Sequence, residues 1–165
     1  MAADTHSESI VIAPASREDA PVLHAMIRAL ASAHNWPEGI KSTADDIARY
    51  GFGPSPGFET LIARKGEKAV GFATYFYEFS TWRGRPGVYV QDLYVEEGLR
   101  GSGVGRRFLE EIIARARMRD AGYIRLAVHS ANTRAIEFYR HLGFDEPKDH
   151  MFVLEGDGFA AMDRE

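Results

Sequence analysis

Val88–Arg106 reads VYVQDLYVEEGLRGSGVGR, and the reading of this stretch decides the fold. Val88 to Val95 is dense in β-branched and aromatic residues, which suit a pleated, half-buried strand. After Glu96, Glu97 and Gly98 the chain enters Arg100-Gly101-Ser102-Gly103-Val104-Gly105-Arg106 and runs directly into the helical pattern Arg107-Phe108-Leu109-Glu110-Glu111-Ile112-Ile113. A strand feeding a helix through a glycine-rich turn leaves backbone N–H groups unpaired at the positive end of the helix dipole, which favours an anion and above all phosphate. Glycine suits the turn because a Cβ would hold the backbone off phosphate oxygens and penalise positive φ. The spacing of Gly101, Gly103 and Gly105 fits neither the dinucleotide fingerprint G-x-G-x-x-G nor a nucleotide-hydrolase loop ending in Gly-Lys-Ser/Thr. A glycine-rich turn with no ligand has the same pattern, so the rest of the chain must decide.

Working outward, 165 residues make one domain over 9–165 the simplest organisation, long enough to bury a core, after a loose tail over 1–8. A net charge of −4 gives no reason to expect nucleic acid or an acidic membrane as partner. Without cysteine there is no disulfide, thiol nucleophile or thiolate-bound zinc. The polar MAADTHSES start and the lack of any long apolar run predict a soluble, cytoplasmic protein. Upstream, Ser9–Ala13 predicts a strand stopped at Pro14, and Ser16 with Asp19 predicts a helix start. Val22, Leu23, Met26, Ile27 and Leu30 then carry a helix of about four turns. Ser32–Gly39 breaks it, and Thr43 opens a second helix ended by Gly51–Gly57. Phe58–Ala63 and Lys68–Tyr77 read as a hairpin around 64–67, its second strand loaded with Phe72, Tyr75, Phe76, Tyr77 and Phe79.

Downstream, Phe108, Leu109, Ile112, Ile113 and Ala116 share one face of a helix over about 104–120. Tyr123–His129 is nearly continuous in apolar residues, as expected of a central strand covered on both faces. Asn132 caps a helix over Thr133–Leu142 closed by Gly143, Met151–Leu154 predicts another strand, and Gly158–Arg164 a short last helix. This order predicts an α/β (α+β) fold around a mixed sheet.

Asn132-x-x-Ala135-x-x-Phe138-Tyr139-x-x-x-Gly143-Phe144 follows a strand, about thirty residues beyond the glycine turn. Together with Arg100-x-x-Gly103-x-Gly105 it resembles the paired motifs of the GNAT superfamily of N-acetyltransferases. Two motifs in the right order are far more specific than either alone. From Ser42 to Phe152 the resemblance is to the diamine branch, which includes the spermidine/spermine and thialysine enzymes. Asp46–Gly53, Val70–Phe76, Ser80–Gly84 and Tyr89–Val95 carry it. The resemblance implies a mostly antiparallel, twisted mixed sheet flanked by helices, with two central strands splayed to admit a pantetheine arm. It also implies a homodimer that moves acetyl from acetyl-CoA to a primary amine by direct attack, without a metal.

Roles follow position by position from the resemblance. Leu93, Tyr94 and Val95 would line the pantetheine arm, with the Leu93 N–H as oxyanion donor. Arg100, Gly101, Ser102, Gly103, Val104, Gly105 and Arg106 would hold the pyrophosphate. Asn132 and Ala135 would lie along the arm, and Tyr139 would protonate the leaving thiolate. Trp82, Gln91, Asp92 and His34 would face the amine. Asp92, Glu96 through a water, His34 and His129 are candidates to take the amine's proton, as is an ordered water chain. The acceptor side departs from the polyamine enzymes: Gln91-Asp92 stands for their Glu-Asp, Ala33-His34 for their Tyr-Glu, and Asp145–His150 offers no Glu-Gly-Trp. Each missing carboxylate removes about 1–3 kcal/mol of charge-assisted bonding, so a smaller amine, a diamine or an amino-acid-like one, is expected. The other readings are a protein-lysine or N-terminal acetyltransferase, a non-catalytic acyl-CoA-binding regulatory module, and a nucleotide-binding or structural domain.

Overall fold

A computed structural model describes residues 9–148 and 151–161, so the tail expected over 1–8 and the end of the last predicted helix lie outside the described residues. Two compact units are present, one reaching Ala127 and one starting at Val128. The first holds the strands β1 (Ile10–Pro14), β2 (Glu59–Lys65), β3 (Lys68–Ser80), β4 (Arg85–Val95) and β5 (Ile124–Leu126), with helices α1 (Ala20–Ala33), α2 (Ala44–Phe52) and α3 (Val104–Arg117). The second holds α4 (Thr133–His141) and α5 (Asp157–Ala160).

The helix starts follow local chemistry. The Ser16 N–H donates to the Asp19 carboxylate at 2.8 Å, but the turn this closes is a short 3-10 segment, Arg17–Asp19, and α1 begins just after it. At α2 the Asp46 N–H donates to the Thr43 hydroxyl at 3.2 Å, and the Asp46 carboxylate accepts from the Thr43 N–H at 2.8 Å. The helix runs through Gly51 to Phe52, past the end expected at the glycine. Arg17 donates to the Ala48 and Phe52 carbonyls at 3.2 and 3.4 Å, satisfying helix-end acceptors otherwise left to water.

The five strands lie in the order β1-β2-β3-β4-β5, antiparallel except for the parallel β4–β5 pair. Leu23 and Met26 of α1 form a core with Ile62 and Phe72, and Leu30, Ile47, Phe52 and Tyr94 pack around it. That places α1 and α2 on the sheet face that carries Phe72. Alternation along β3 puts Tyr75 and Tyr77 on the other face. There the Tyr75 hydroxyl donates to Glu59 at 2.8 Å, and Arg119, just beyond α3, bridges Glu59 at 2.6 Å and covers the Tyr77 ring.

Thr74 pairs with Asp92 but Tyr75 pairs with Val90, so Gln91 is an extra residue in β4. A bulge of this kind reverses the alternation. Tyr89, Asp92 and Tyr94 therefore share the α1 face, while Val88, Val90, Leu93 and Val95 share the α3 face.

Two expected strands change. β5 spans Ile124–Leu126 where Tyr123–His129 was expected, and it is the last strand of the sheet order with Arg125 exposed, not a central strand covered on both faces. Its ladder to β4 has the three pairs Val88↔Ile124, Tyr89↔Arg125 and Val90↔Leu126, and it stops at Val90, just before the extra residue Gln91. Met151–Leu154 has the composition of a strand but is irregular, with Phe152 91% exposed. A strand needs a ladder partner for its backbone groups, and among the described residues none lies against this segment.

Gly87 illustrates a close approach. A Cβ there would lie 2.2–2.4 Å from the Tyr123 ring, which crosses the strand at that point. Gly87→Ala should lower stability by about 1–3 kcal/mol, as overpacking does. In thermal denaturation the Gly87→Ala, Tyr123→Ala double variant should melt no lower than Tyr123→Ala alone, because the clash is then gone. Additive losses would show that the ring is not the cause.

Candidate active site

In the first unit, two stretches of candidate residues are built by backbone geometry. Gly101 and Gly103 have φ of 84° and 88°, and a Cβ on either would meet nothing within 4 Å. Conformation, not space, demands glycine there. Gly103 caps α3, and among the described residues the N–H groups of Gly103, Val104, Gly105 and Arg106 have no backbone acceptor. The turn before them is held by its own bonds. The Ser102 hydroxyl donates to the Leu99 carbonyl at 2.6 Å, and the Arg100 Nε donates to the Val95 carbonyl at 3.1 Å. Arg106 pairs through Nε with Glu110 at 2.8 Å. Four amides at a positive helix end, unobstructed by side chains, fit a diphosphate. Gly103→Ala should cost about 1–3 kcal/mol of left-handed strain. A helix start that relaxes to avoid it should bind coenzyme A at least about fivefold more weakly by calorimetry. Unchanged affinity would show that the turn does not grip the ligand.

The second stretch is the bulge. Gln91 is exposed and Asp92 and Leu93 half-buried. Burial pushes the Asp92 carboxyl above the usual carboxylate range, and the nearby charge of His34 pulls it back. His34 caps the C-terminal end of α1, and α1's Leu30 and β4's Tyr94, on the same face as Asp92, pack against one apolar cluster. The tertiary fold thus brings His34 close enough to Asp92 for its charge to act on the carboxyl, a grouping the sequence could make only through a resemblance. The side chains of Tyr94 and Val95 are spent on packing: Tyr94 lies 6.1 Å from Phe72 between ring centroids, and Val95 is buried. Their contribution to a ligand is confined to backbone groups. Trp82 stands on the β3–β4 turn, 98% exposed.

Other proton acceptors are engaged elsewhere. Glu96 is paired with Lys68 at 2.6 Å. His129 accepts the Ala131 N–H on Nδ1 at 3.2 Å. Two residues beyond His34, Trp36 is 64% exposed with its ring lying over Gly39.

In the second unit, the Ala135 N–H donates to the Asn132 side-chain oxygen at 3.1 Å, so Asn132 caps α4 and keeps its amide NH2 for another partner. Tyr139 is half-buried between Phe138 and Phe144, at ring distances of 5.1 and 5.4 Å. Burial pushes its phenol up to about 12.

The glycine-rich helix start and the bulged strand lie within the segment through which the chain is assigned to a class of acyltransferases. Residues 23–144 match the acetyltransferase (GNAT) family, and the chain belongs to that family. Its likeness to named relatives puts it with the diamine acetyltransferase branch. It is 30% identical over 161 residues to a thialysine N-epsilon-acetyltransferase of Sus scrofa, covering 90% of this chain and 94% of the relative. The Bos taurus enzyme of the same name is 29% identical over 160 residues, with the same shares covered. Among solved structures, an integron cassette protein from the mobile metagenome of V. cholerae superposes with a TM-score of 0.77 at 21% identity, covering 93% of this chain and 97% of that one. An aminoglycoside acetyltransferase from an uncultured soil sample does so at 0.75 and 16%, covering 89% and 97%. The protein is an enzyme of the N-acetyltransferase class, and its mixed five-stranded sheet flanked by helices is the GNAT fold. Among the described residues no helix is long and apolar enough to cross a membrane, and no group of three His, Asp or Glu could hold a metal.

Proposed function

We propose that the enzyme transfers acetyl from acetyl-CoA to the primary amine of a small diamine or amino-acid-like molecule. The observation that carries this is the run of unclaimed amides at Gly103–Arg106 behind two left-handed glycines, a seat for the coenzyme's diphosphate. Acetyl-CoA supplies an activated acetyl thioester. Arg100 to Arg106 hold its diphosphate, and the edge of β4 beyond Val90 receives the pantetheine arm through the backbone of Leu93, Tyr94 and Val95. Asn132 and Ala135 serve the same arm. The Leu93 N–H stabilises charge developing on the carbonyl oxygen. Tyr139 keeps its proton at neutral pH and delivers it to the leaving sulfur.

Asp92, with His34 beside it, orients the cationic amine, and Trp82 and Gln91 border the acceptor. The amine attacks directly, after its proton passes to Asp92, to His34 or to water. The single acidic residue at the bulge suits a short amine better than a long polyamine. The working enzyme is a homodimer of cytoplasmic single-domain chains. Relatives named for thialysine favour a small acceptor over a protein.

Initial rates of thiol release from acetyl-CoA with thialysine, lysine, putrescine and spermidine test the proposal. Turnover on one of the shorter amines is expected. Coenzyme binding without turnover on any amine would replace catalysis with a sensor role, and acetylated lysate proteins in its place would move the acceptor to polypeptides.

A further inference from the structure

β5 is a short strand to hold in place. Three parallel pairs with slanted bonds give it little backbone purchase on β4. Side chains supply the rest. Arg125, the middle residue of β5, donates from Nε and Nη2 to the two carboxylate oxygens of Glu78 on β3 at 2.6 and 2.7 Å. β4 lies between these strands, and the guanidinium crosses it 5.2 Å from the centre of the Tyr89 ring. The two-pronged bond therefore staples three strands, with a cation–π contact at its midpoint. Glu78 is well shielded, its side chain 17% exposed against 60% for Arg125.

The approach to β5 is fastened as well. The Gly122 N–H donates to the Pro86 carbonyl and the Val88 N–H to the Tyr123 carbonyl, at 3.0 Å each, and Arg83 sits 4.7 Å over the Tyr123 ring. All these ties lie at or before Leu126. Past it β4 runs on through Gln91–Val95, the stretch assigned above to the pantetheine arm, with no further pairs to β5.

We propose that Glu78 and Arg125 are positioning residues: their ion pair fixes β5 against Val88–Val90 and so sets where the cleft for the coenzyme's pantetheine arm begins. This rests on the acetyl-CoA reading. Neither side chain is assigned contact with reacting atoms. Loosening β5 leaves Asp92 and Leu93 on β4 but blurs one wall of the coenzyme cleft. The cost falls on coenzyme binding and not on the amine or on the acid step.

The test measures acetyl-CoA KM, amine KM, kcat and the calorimetric Kd for coenzyme A in Glu78→Gln, Arg125→Gln, Arg125→Lys and the reversed pair Glu78→Arg, Arg125→Glu, with melting temperatures alongside. Glu78→Gln and Arg125→Gln should each raise acetyl-CoA KM and coenzyme Kd about fivefold or more, the loss expected for a partly exposed two-pronged pair. Amine KM and kcat should change less than about twofold. The reversed pair should recover most of the loss. Arg125→Lys, which keeps charge and fold but lacks the fork, should recover part. A coenzyme KM that stays at the wild-type value in the single variants, or a reversed pair no better than the summed losses of Glu78→Gln and Arg125→Gln, overturns the proposal. Wild-type protein that fails to bind coenzyme A would instead overturn the acetyl-CoA reading.

Discussion

Tyr139→Phe is expected to lower kcat at least about tenfold, the usual minimum for loss of a general acid, with coenzyme affinity nearly intact. The phenol stands on α4, wedged between Phe138 and Phe144, and among the described residues its hydroxyl makes no hydrogen bond to the protein. Burial alone raises it to about 12, with no charged neighbour contributing. Desolvation penalises the phenolate and so keeps the neutral donor form. The proton is therefore retained well past the ordinary tyrosine value of about 10, and alkaline loss of activity below that point must come from another group. The aromatic ring remains in Tyr139→Phe, so packing on Phe138 and Phe144 is retained and the effect should fall on kcat. Stopped-flow thiol release with calorimetric binding of coenzyme A separates the two. An unchanged kcat would take Tyr139 out of the mechanism and leave it as a core aromatic.

Asp92→Asn should raise the amine KM about ten- to hundredfold, the equivalent of one charge-assisted bond of about 1.5–3 kcal/mol, and leave acetyl-CoA KM unchanged. The exchange keeps shape and removes charge. Burial raises the Asp92 carboxyl, so its anion is complete only above that raised value and is lost as pH falls through it. Amine KM in the wild type should therefore climb on acidification at a pH above the ordinary carboxylate value of about 4, and this climb should be absent in Asp92→Asn. The positive charge of His34 opposes the shift, so His34→Ala should move the climb to higher pH. Equal amine KM in wild type and Asp92→Asn would assign the acceptor's recognition to other groups. A fall in kcat with unchanged KM would make Asp92 the base alone.

The chain's local chemistry fixed much of this in advance. The glycine turn needs only positive φ at Gly101 and Gly103. The caps at Thr43 and Asn132 need only a side-chain oxygen within three residues of an unpaired N–H. Helix faces follow from periodicity, and Leu23, Met26, Phe108 and Ile112 are buried as their spacing predicts. These are contacts between near neighbours, legible in order along the chain.

The acceptor side was decided by register. The extra residue at Gln91 exists only because Thr74 and Tyr75 choose Asp92 and Val90 as partners, and that choice turns Asp92 toward the end of α1 and His34. The apolar run at Tyr123–His129 has the composition of a long central strand. Its ladder ends at Val90, beside the extra residue of β4, and Arg125 is tied to Glu78, far away in sequence. Met151–Leu154 fails as a strand for the same reason in reverse: propensity belongs to the residue, but a ladder belongs to a pair. The sequence by itself determined the glycine turn, the helix starts and the buried faces. Tertiary structure decided which strand edges meet and where they part, because strand pairing depends on residues the chain brings together only on folding.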